Sequence, residues 1–213
     1  MTGREDFLAH LKDRASRAGV PLRPEDTERF FTYYELLRQW NRTINLTALP
    51  LAGFPPESLD RLFIEPLVAS QVVDDVVLRW VDVGSGGGSP AVPLKIVRPR
   101  LRLTLTEPKE RKAAFLREVI RGLHLSDSDV QTTRVERLVE TLRNSLDLIT
   151  VRAVRLDARL LEAVRACLKK DGRCLAFGSR LQGELEGFRL LDDARLGPLG
   201  DPVTNRVHVY GPA

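Results

Sequence analysis

A glycine-rich run that follows an apolar stretch has the residue types and the spacing to bind a ligand. It reads Val81-Asp-Val-Gly-Ser-Gly-Gly-Gly-Ser-Pro90, and the mostly apolar stretch covers residues 76–83. Glycine allows positive φ and close approach of the backbone, and a helix expected to begin at Pro90 would offer free N–H groups. The run therefore predicts a loop that places backbone amides against a nucleotide-like ligand.

The spacing of the glycines separates the kinds of ligand. A phosphate-binding P-loop needs Gly-Lys-Ser/Thr after the loop, which the sequence lacks. The dinucleotide fingerprint Gly-x-Gly-x-x-Gly/Ala would place Ser89 at its third position, where close packing of helix on strand favours glycine or alanine. Asp82, Gly84, Gly86 and Gly88 instead fit Asp-x-Gly-x-Gly-x-Gly. That pattern resembles the loop of Rossmann-like S-adenosylmethionine-dependent methyltransferases, which lies against the amino-acid part of the ligand.

Two further places have residues suited to an adenosine ligand. Glu107 ends the second predicted strand, where its carboxylate could accept both ribose hydroxyls. The alternative for Glu107 is a solvated helix N-cap beside Pro108. Val135 and Glu136 follow the third predicted strand, where a backbone N–H could meet the adenine edge, although an ordinary helix start explains them equally well.

Helical and strand patterns alternate along most of the chain, after an N-terminal part that reads as helical. Helices are predicted over residues 5–18, 24–40, 59–73, 90–97, 109–123, 135–144 and 158–169. Strands are predicted over residues 76–83, 101–106, 129–132, 147–151 and 173–177, with a last hairpin strand around Val207 and Val209. The alternation favours an α/β fold with a doubly wound, mainly parallel sheet, on which the N-terminal helices pack as a cap. Ligands bind at the carboxyl ends of such strands.

The composition permits a nucleic-acid partner without requiring one. The chain has 33 Lys and Arg against 29 Asp and Glu, a net charge of +4, and arginine dominates the cations. Its two cysteines have neither a disulfide nor a metal-ligand spacing, so no metal site is predicted. The sequence contains no signal-peptide pattern and no apolar run of 18 residues, which predicts a soluble, cytoplasmic protein without a membrane partner.

Four segments together resemble one family. They are Leu-Leu-Arg-Gln-Trp-Asn-Arg-Thr-Ile-Asn-Leu-Thr-Ala at 36–48, the glycine run extended to Leu94, Arg-Lys-Ala-Ala-Phe-Leu-Arg-Glu at 111–118 and Arg-Ala-Val at 152–154. In order and spacing they are similar to the bacterial small-subunit ribosomal RNA guanine-N7 methyltransferases, called RsmG or GidB. The resemblance covers residues 30–177 or so and implies a Rossmann-like class I methyltransferase sheet. We divide the chain into a helical cap over residues 1–74 and an S-adenosylmethionine-binding domain over residues 75–213.

The resemblance also implies roles for single residues. Arg152 is the expected catalytic residue, because the family has a functional arginine at this strand end; a surface salt bridge is the alternative. Asn45 and Thr47 match the family's Asn-Leu-Thr and are expected to bind substrate, as are Arg111 and Lys112, whose charges oppose the helix dipole. A helix-ending turn and a solvated charge run are the alternatives for these two pairs. The expected cofactor-binding residues are Asp82, Gly84, Gly86, Gly88, Ser89, Glu107, Val135, Glu136 and Arg152.

The residues can be checked against the chemistry that the family implies. Guanine N7 already has a lone pair, so methyl transfer to it needs alignment and electrostatic help but no deprotonating base. None of the three histidines falls at a predicted strand end. The Asp/Asn-Pro-Pro-Tyr/Phe segment of exocyclic-amine methyltransferases is replaced by Ile149-Thr-Val-Arg-Ala, and neither cysteine stands where a cytosine-C5 enzyme needs its nucleophile. These absences favour a ring-nitrogen or oxygen target. The resemblance implies ribosomal RNA or the small ribosomal subunit as the partner, and we expect a monomer.

Departures from the family pattern leave other functions open. The glycine run has Ser89 and Ala91 where the family has Phe/Leu and Gly, and Arg61-Leu-Phe-Ile-Glu-Pro66 stands for Arg-His-Phe-x-Asp-Ser. After the fifth predicted strand, Phe177-Gly-Ser replaces Leu-Lys-Gly. The alternatives are a small-molecule methyltransferase, a ribosome- or RNA-binding paralogue without activity, and a NAD-type dehydrogenase.

Overall fold

The computed structural model describes residues 3–73, 78–178, 187–195 and 206–213. Within these residues seven strands form one sheet, in the spatial order third, second, first, fourth, fifth, seventh, sixth. The strands are β1 (Arg79–Val83), β2 (Arg102–Thr106), β3 (Ser128–Gln131), β4 (Leu146–Arg152), β5 (Leu168–Phe177), β6 (Phe188–Arg195) and β7 (Arg206–Pro212). β1 to β5 are parallel, and β7 is antiparallel to both β5 and β6. This arrangement confirms the predicted α/β fold.

The helices lie before and between the strands. They are α1 (Gly3–Arg17), α2 (Pro24–Asn41), α3 (Pro56–Leu59), α4 (Glu65–Ala69), α5 (Ala91–Val97), α6 (Glu110–Gly122), α7 (Val139–Leu142) and α8 (Ala158–Cys167). A π-helical turn covers Asp60–Ile64, and 3-10 turns cover Ser70–Val72 and Val135–Arg137. None of the helices in the described ranges is both long and apolar enough to cross a bilayer.

The helix predicted over residues 59–73 is a series of helical segments from Pro56 to Val72. Pro56 stands in the first turn, where its missing N–H would have no partner inside the helix. Pro66 stands inside the series, where the missing N–H interrupts the regular pattern of backbone hydrogen bonds. The change from α to π geometry occurs directly before this proline, between Asp60 and Ile64.

Three other expectations about elements differ from the structure. The helix predicted over 135–144 is a 3-10 turn followed by the four residues of α7. β5 begins at Leu168, so the predicted turn Lys170-Asp-Gly172 belongs to a strand whose pairing with β4 shifts register. β6 was not predicted, because a register shift between Leu190 and Asp192 breaks the alternation on which strand prediction depends. The start of the strand predicted at Val76 lies outside the described residues.

The sheet is covered on both faces, and the N-terminal helices share a core with one of them. That core contains Phe7 of α1, Phe63 and, from the sheet, Trp80 and Leu103, all at most 1% exposed. The ring of Phe7 packs at centroid distances of 5.2–5.7 Å against the rings of Phe31, Tyr34, Phe54 and Phe63. A second core on the other face includes Val81, Ile149 and Val164 of α8. The expected domain boundary at 74/75 lies outside the described residues, so the division stays a prediction.

The segment after α2 is held by one side chain. Asn41 Oδ1 accepts hydrogen bonds from the backbone N–H groups of Leu46 and Thr47 at 2.9 and 3.0 Å, and Asn41 Nδ2 donates to the Thr47 carbonyl. A Cβ added at Gly87 would lie 3.1 Å from the Leu46 carbonyl oxygen. The Asn-Leu-Thr segment therefore packs directly on the glycine loop.

Candidate active site

A cavity lies at the carboxyl ends of the central strands. β1 and β4 are neighbours in the sheet although β2 and β3 intervene in the chain, and such a switch in strand order is where α/β sheets bind ligands. The cavity has a volume of about 280 Å³, near the lower end of the range for small-molecule sites. Its lining comes from the ends of β1, β2 and β4 and from the turn after β3: Val83, Gly84, Thr106, Pro108, Thr133, Arg134, Val135, Glu136, Val154, Arg155, Asp157 and Leu160.

The glycines of the loop meet two different requirements. Gly84, Gly86 and Gly88 have φ of 68°, 50° and 93°, a region that side chains with a Cβ rarely adopt. A Cβ added at Gly84 would lie 2.7 Å from Val154 Cγ2, and one at Gly88 would lie 2.9 Å from Val92 Cγ2. At Gly86 its nearest neighbour would be the Gly84 carbonyl at 3.7 Å. Close packing therefore requires glycine at 84 and 88, and Gly84 also lines the cavity. The space beside Gly86 can receive a ligand.

A tyrosine of α2 fixes the loop from the N-terminal side. Tyr33 Oη donates a hydrogen bond of 2.6 Å to the Gly87 carbonyl, and the ring is fully buried. Burial raises the pKa of the Tyr33 hydroxyl far above its ordinary value, so the group remains a donor. The hydroxyl of neighbouring Tyr34 donates to the Leu51 carbonyl instead, away from the loop.

Asp82, the acidic residue of the loop pattern, has one satisfied and one unsatisfied oxygen. Its Oδ1 accepts from Thr150 Oγ1 at 2.5 Å, and that hydroxyl accepts from Trp80 Nε1 at 2.9 Å. Oδ2 is buried without a hydrogen-bond partner in the part of the chain that the structure describes. Burial raises the pKa of the carboxyl to about 6, against the opposing effects of its hydrogen bonds and of Arg152. A buried acceptor of this kind suits a cationic donor on a ligand.

Glu107 connects the glycine loop to α6. Its Oε2 accepts from the Gly86 N–H at 3.0 Å, and its Oε1 accepts from the Lys109 N–H at 2.9 Å. The residues on either side of Glu107, Thr106 and Pro108, line the cavity. Since a carboxylate can accept about four hydrogen bonds, capacity for ribose hydroxyls remains. The ribose role of Glu107 stays a prediction.

The turn after β3 forms the wall of the cavity where the adenine was expected. Val135 is buried and Glu136 half-buried, and both line the cavity. They begin the 3-10 turn Val135–Arg137, whose first N–H groups have no partner within the turn. This placement agrees with the expected adenine contact without testing it.

Arg152 is buried at the end of β4 rather than displayed on the surface. Its Nη2 donates to Glu65 Oε2 at 2.5 Å, and only 11% of the Arg152 side chain and 2% of the Glu65 side chain are exposed. Nη1 donates to Ser89 Oγ at 3.1 Å and to the Arg61 carbonyl. The guanidinium carbon lies 4.6 Å from the ring centroid of Phe177. We call Arg152, Glu65 and Ser89 the buried junction.

Pro66 explains why backbone carbonyls are available at the buried junction. In the helical series it would donate its N–H to Leu62 in α geometry or to Arg61 in π geometry, but proline has none. The Arg61 carbonyl accepts from Arg152, and the Leu62 carbonyl accepts from the Ser89 hydroxyl at 3.1 Å. The resemblance predicts a serine at this position, so Pro66 is a departure from the expected pattern at the place where Arg152 and Ser89 find their backbone acceptors.

Sequence reasoning missed Glu65, the partner of Arg152. The only local signal is one carboxylate within the apolar run Leu62-Phe-Ile-Glu-Pro-Leu-Val-Ala69. Burial raises the pKa of Glu65, and the charge of Arg152 opposes that shift most strongly. Burial lowers the pKa of Arg152, and Glu65 opposes it. The two charges therefore compensate each other in the interior.

The expected substrate-binding residues do not line the cavity. Asn45 is exposed, and Thr47 Oγ1 accepts from the Leu49 N–H at 3.1 Å. Arg111 Nη2 donates to the Thr43 carbonyl at 3.4 Å, which places the start of α6 next to the same segment. Lys112 is half-buried. Their substrate roles stay predictions.

Comparisons with known proteins agree on one family. Residues 26–189 match the family GidB, described as rRNA small subunit methyltransferase G. The protein of that name from Roseiflexus sp. (strain RS-1) is 37% identical over 200 residues, covering 91% of this chain and 84% of the relative. The protein of the same name from Dictyoglomus thermophilum is 32% identical over 175 residues, covering 79% of this chain and 70% of the relative. A solved SAM-dependent methyltransferase from Aquifex aeolicus superposes with a TM-score of 0.56 at 17% identity, covering 74% of this chain and 93% of that one, which shows the shared fold.

Tyr33 and Tyr34 offer a matched test of how the loop is held. Each Tyr→Phe change removes one hydroxyl that donates to a backbone carbonyl, and each should lower the free energy of unfolding by about 1 kcal/mol. Only Tyr33→Phe should also weaken binding of S-adenosylmethionine, by about tenfold or less, because only Tyr33 bonds the loop. Urea unfolding and calorimetry measure the two effects. Equal affinities in the two variants would contradict this role of Tyr33.

Glu65→Ala should be strongly destabilising. It leaves the Arg152 guanidinium buried without its carboxylate, a change that costs about 3–5 kcal/mol in comparable pairs. Glu140→Ala breaks the exposed pair with Arg143 and serves as the control, with a much smaller expected effect. Urea unfolding at pH 7 compares them, and a similar loss in both would show that the buried junction carries no special stability.

Proposed function

Since the chain belongs to the GidB family of rRNA small subunit methyltransferases, we propose that it transfers a methyl group from S-adenosylmethionine to RNA of the small ribosomal subunit. The proposed acceptor is N7 of a guanine. We expect the enzyme to act as a monomer.

One observation carries the proposal: the four segments that resemble the family meet at one edge of the sheet. The Asn-Leu-Thr segment packs on Gly87, and the start of α6 contacts Thr43. Arg152, at the end of β4, donates to Ser89 of the glycine loop. A small-molecule methyltransferase would need the glycine loop and the cavity. That function would not explain why all four segments meet at the same edge of the sheet.

The residues at this edge fit the proposed cofactor. S-adenosylmethionine supplies a methyl group on a sulfonium, together with an ammonium, a ribose and an adenine. Asp82 Oδ2 is a buried acceptor suited to the ammonium, and Glu107 has remaining acceptor capacity for the ribose hydroxyls. Backbone groups of Val135 and Glu136 would border the adenine. The space beside Gly86 leaves room for the amino-acid part.

The arrangement suits an acceptor that needs no base. Guanine N7 has its lone pair available, and within the described residues no histidine lines the cavity. Arg152 has five N–H groups, of which three donate to Arg61, Ser89 and Glu65 and two remain. We assign to Arg152 the role of holding positive charge beside guanine O6, where charge changes as N7 is alkylated.

Methyl transfer itself is the decisive measurement. Small subunits from cells that lack this protein, incubated with it and labelled S-adenosylmethionine, should incorporate label into the small-subunit RNA. Borohydride and aniline cleavage should place the label at a guanine N7. If the protein binds the cofactor but no label enters RNA, the ribosomal proposal is wrong; stabilisation by NAD alone would instead indicate a dehydrogenase.

The role of Arg152 is tested in the same assay with a double variant that removes both buried charges, those of Arg152 and Glu65. Arg152→Gln alone leaves Glu65 buried and unpaired, so it should lose both stability and transfer. Arg152→Gln combined with Glu65→Gln should recover part of the stability but remain at least about a hundredfold below the wild-type rate. A double variant with wild-type transfer would show that Arg152 is only structural.

Asp82 should make cofactor binding dependent on pH. Its pKa of about 6 means that the carboxylate is lost as the pH falls through 6, so affinity should drop by about tenfold between pH 7 and pH 5. The contribution of Asp82 to the free energy of unfolding changes with pH in the opposite direction to the affinity for the cofactor. The folded pKa lies above the unfolded value, so the contribution of Asp82 is present below about pH 4 and is lost as the pH rises through 6.

Calorimetry and urea unfolding across this range check both signs, with Asp82→Asn as the comparison. Asp82→Asn should bind the cofactor weakly at every pH. Between pH 4 and 6 its free energy of unfolding should change less with pH than that of the wild type, because the titration of Asp82 is absent. A wild-type affinity independent of pH in this range would contradict the assignment of Asp82 to the ammonium.

A further inference from the structure

Cations cover the solvent side of α8 and the residues next to it. Arg155 precedes the helix, Arg159 stands in its first turn and Arg165 in its last, and Lys169 and Lys170 follow it. All five are exposed. Three exposed carboxylates, Asp157, Glu162 and Asp171, stand over the same range, so the surface has an excess of two positive charges.

A groove with a volume of about 600 Å³ lies at the C-terminal end of α8. Four of the residues that line it are cations and one is a carboxylate: its lining is Arg143, Asn144, Glu162, Arg165, Ala166, Leu168, Lys169, Lys170 and Pro212. It is separate from the 280 Å³ cavity, whose lining shares no residue with it. The groove is therefore a second concave surface with its own charge.

The positive charge is only partly compensated. Lys169 pairs with Asp147 at 2.7 Å, and Arg143 pairs with Glu140 at 2.9 Å. The side chain of Glu140 is 86% exposed, so solvent weakens that pair. Within the described residues, no carboxylate forms a salt bridge with Arg155, Arg159, Arg165 or Lys170. We call these four residues the α8 strip.

The α8 strip connects the groove to the candidate active site. Arg155 and Leu160, at the start of α8, line the 280 Å³ cavity, and Arg165 lines the groove. A helix of ten residues is about 15 Å long, so the strip covers that distance across the surface. A ligand that only filled the cavity would not reach the far end of the strip.

The helix itself does not explain these charges. Cations at the C-terminal end, such as Arg165, are favoured by the helix dipole. Arg155 and Arg159 stand at the N-terminal end, where the same dipole opposes positive charge. A partner with regularly spaced negative charge accounts for both ends, and a nucleic-acid backbone has that property.

We propose that the α8 strip and its groove bind the phosphate backbone of the RNA that flanks the target nucleotide, an inference that rests on the proposed function. Arg155 would contact the backbone beside the cavity, and Arg165 and Lys170 would contact phosphates in the groove. These contacts position the RNA without reading its sequence.

The test compares two triple variants with equal loss of charge. Arg159→Gln, Arg165→Gln and Lys170→Gln remove the strip but leave Arg155, which lines the cavity, in place. The control combines Lys12→Gln, Arg100→Gln and Arg102→Gln, which are exposed residues elsewhere on the molecule. Filter binding of deproteinised small-subunit RNA over a range of KCl gives the affinity and its salt dependence. Stabilisation by S-adenosylmethionine checks that both variants retain the fold and the cofactor site.

The strip variant should bind RNA about tenfold or more weakly, and its slope of log affinity against log salt should be shallower by about two, since each lost phosphate contact removes about 0.7–0.9. The control should match the wild type. An unchanged slope, or an equal loss in the control, overturns the inference. Should the triple variant fail to fold, Arg159→Gln and Lys170→Gln singly must each reduce the slope by roughly 0.8.

Binding and methyl transfer separate this inference from the proposed function. If the strip controls RNA binding while the wild type methylates no small subunits, the inference stands and the proposed function is wrong. If the wild type methylates subunits and the strip variant has the same KM, the inference is wrong and the proposed function stands. Loss of binding to intact subunits with normal binding to bare RNA would assign the strip to a ribosomal protein and overturn the proposal.

Discussion

The arrangement of this molecule depends on one buried charge, the guanidinium of Arg152. A cation taken out of water must be surrounded by acceptors, or it costs several kcal/mol. Here the acceptors come from two distant parts of the chain: Glu65 and the Arg61 carbonyl of the N-terminal helices, and Ser89 of the glycine loop. Satisfying that one group therefore sets the N-terminal helices, the loop and the end of β4 in a common position.

The same junction explains an irregularity of the backbone. Pro66 cannot donate a hydrogen bond inside its helical series, which would ordinarily weaken a helix. The acceptors left by the missing N–H are used by Arg152 and Ser89, so the local loss is offset by tertiary contacts. Within the described residues, Glu65 Oε1 and Asp82 Oδ2 both stay buried without a hydrogen-bond partner. Functional sites are where such local violations are expected.

The sequence predicted the helices and strands that have a local signal in the residue pattern. It failed where pairing with another strand, rather than the residue pattern, sets the structure. The parallel sheet followed from alternating periodicity, and the loop conformation followed from glycines that adopt positive φ. β5 extends through Lys170 because Gly172 fits closely under the Leu146 carbonyl, 2.8 Å from an added Cβ. β6 was missed because its pairing with β7 is irregular. Both failures concern contacts with a distant strand.

In the candidate site, too, some features follow from local sequence signals and others depend on contacts with distant segments. The sequence alone determined that a glycine loop follows β1 and that Glu107, Val135 and Arg152 end or follow neighbouring strands, because parallel strands bring their carboxyl ends to one edge. Only the tertiary structure decided that Arg152 is buried and that Glu65, 87 residues away, is its partner. It also decided that Tyr33 bonds the Gly87 carbonyl and that the Leu46 carbonyl packs against Gly87. The physical reason is that strand ends follow from local periodicity, whereas the partner of a buried charge depends on which distant segments pack around it.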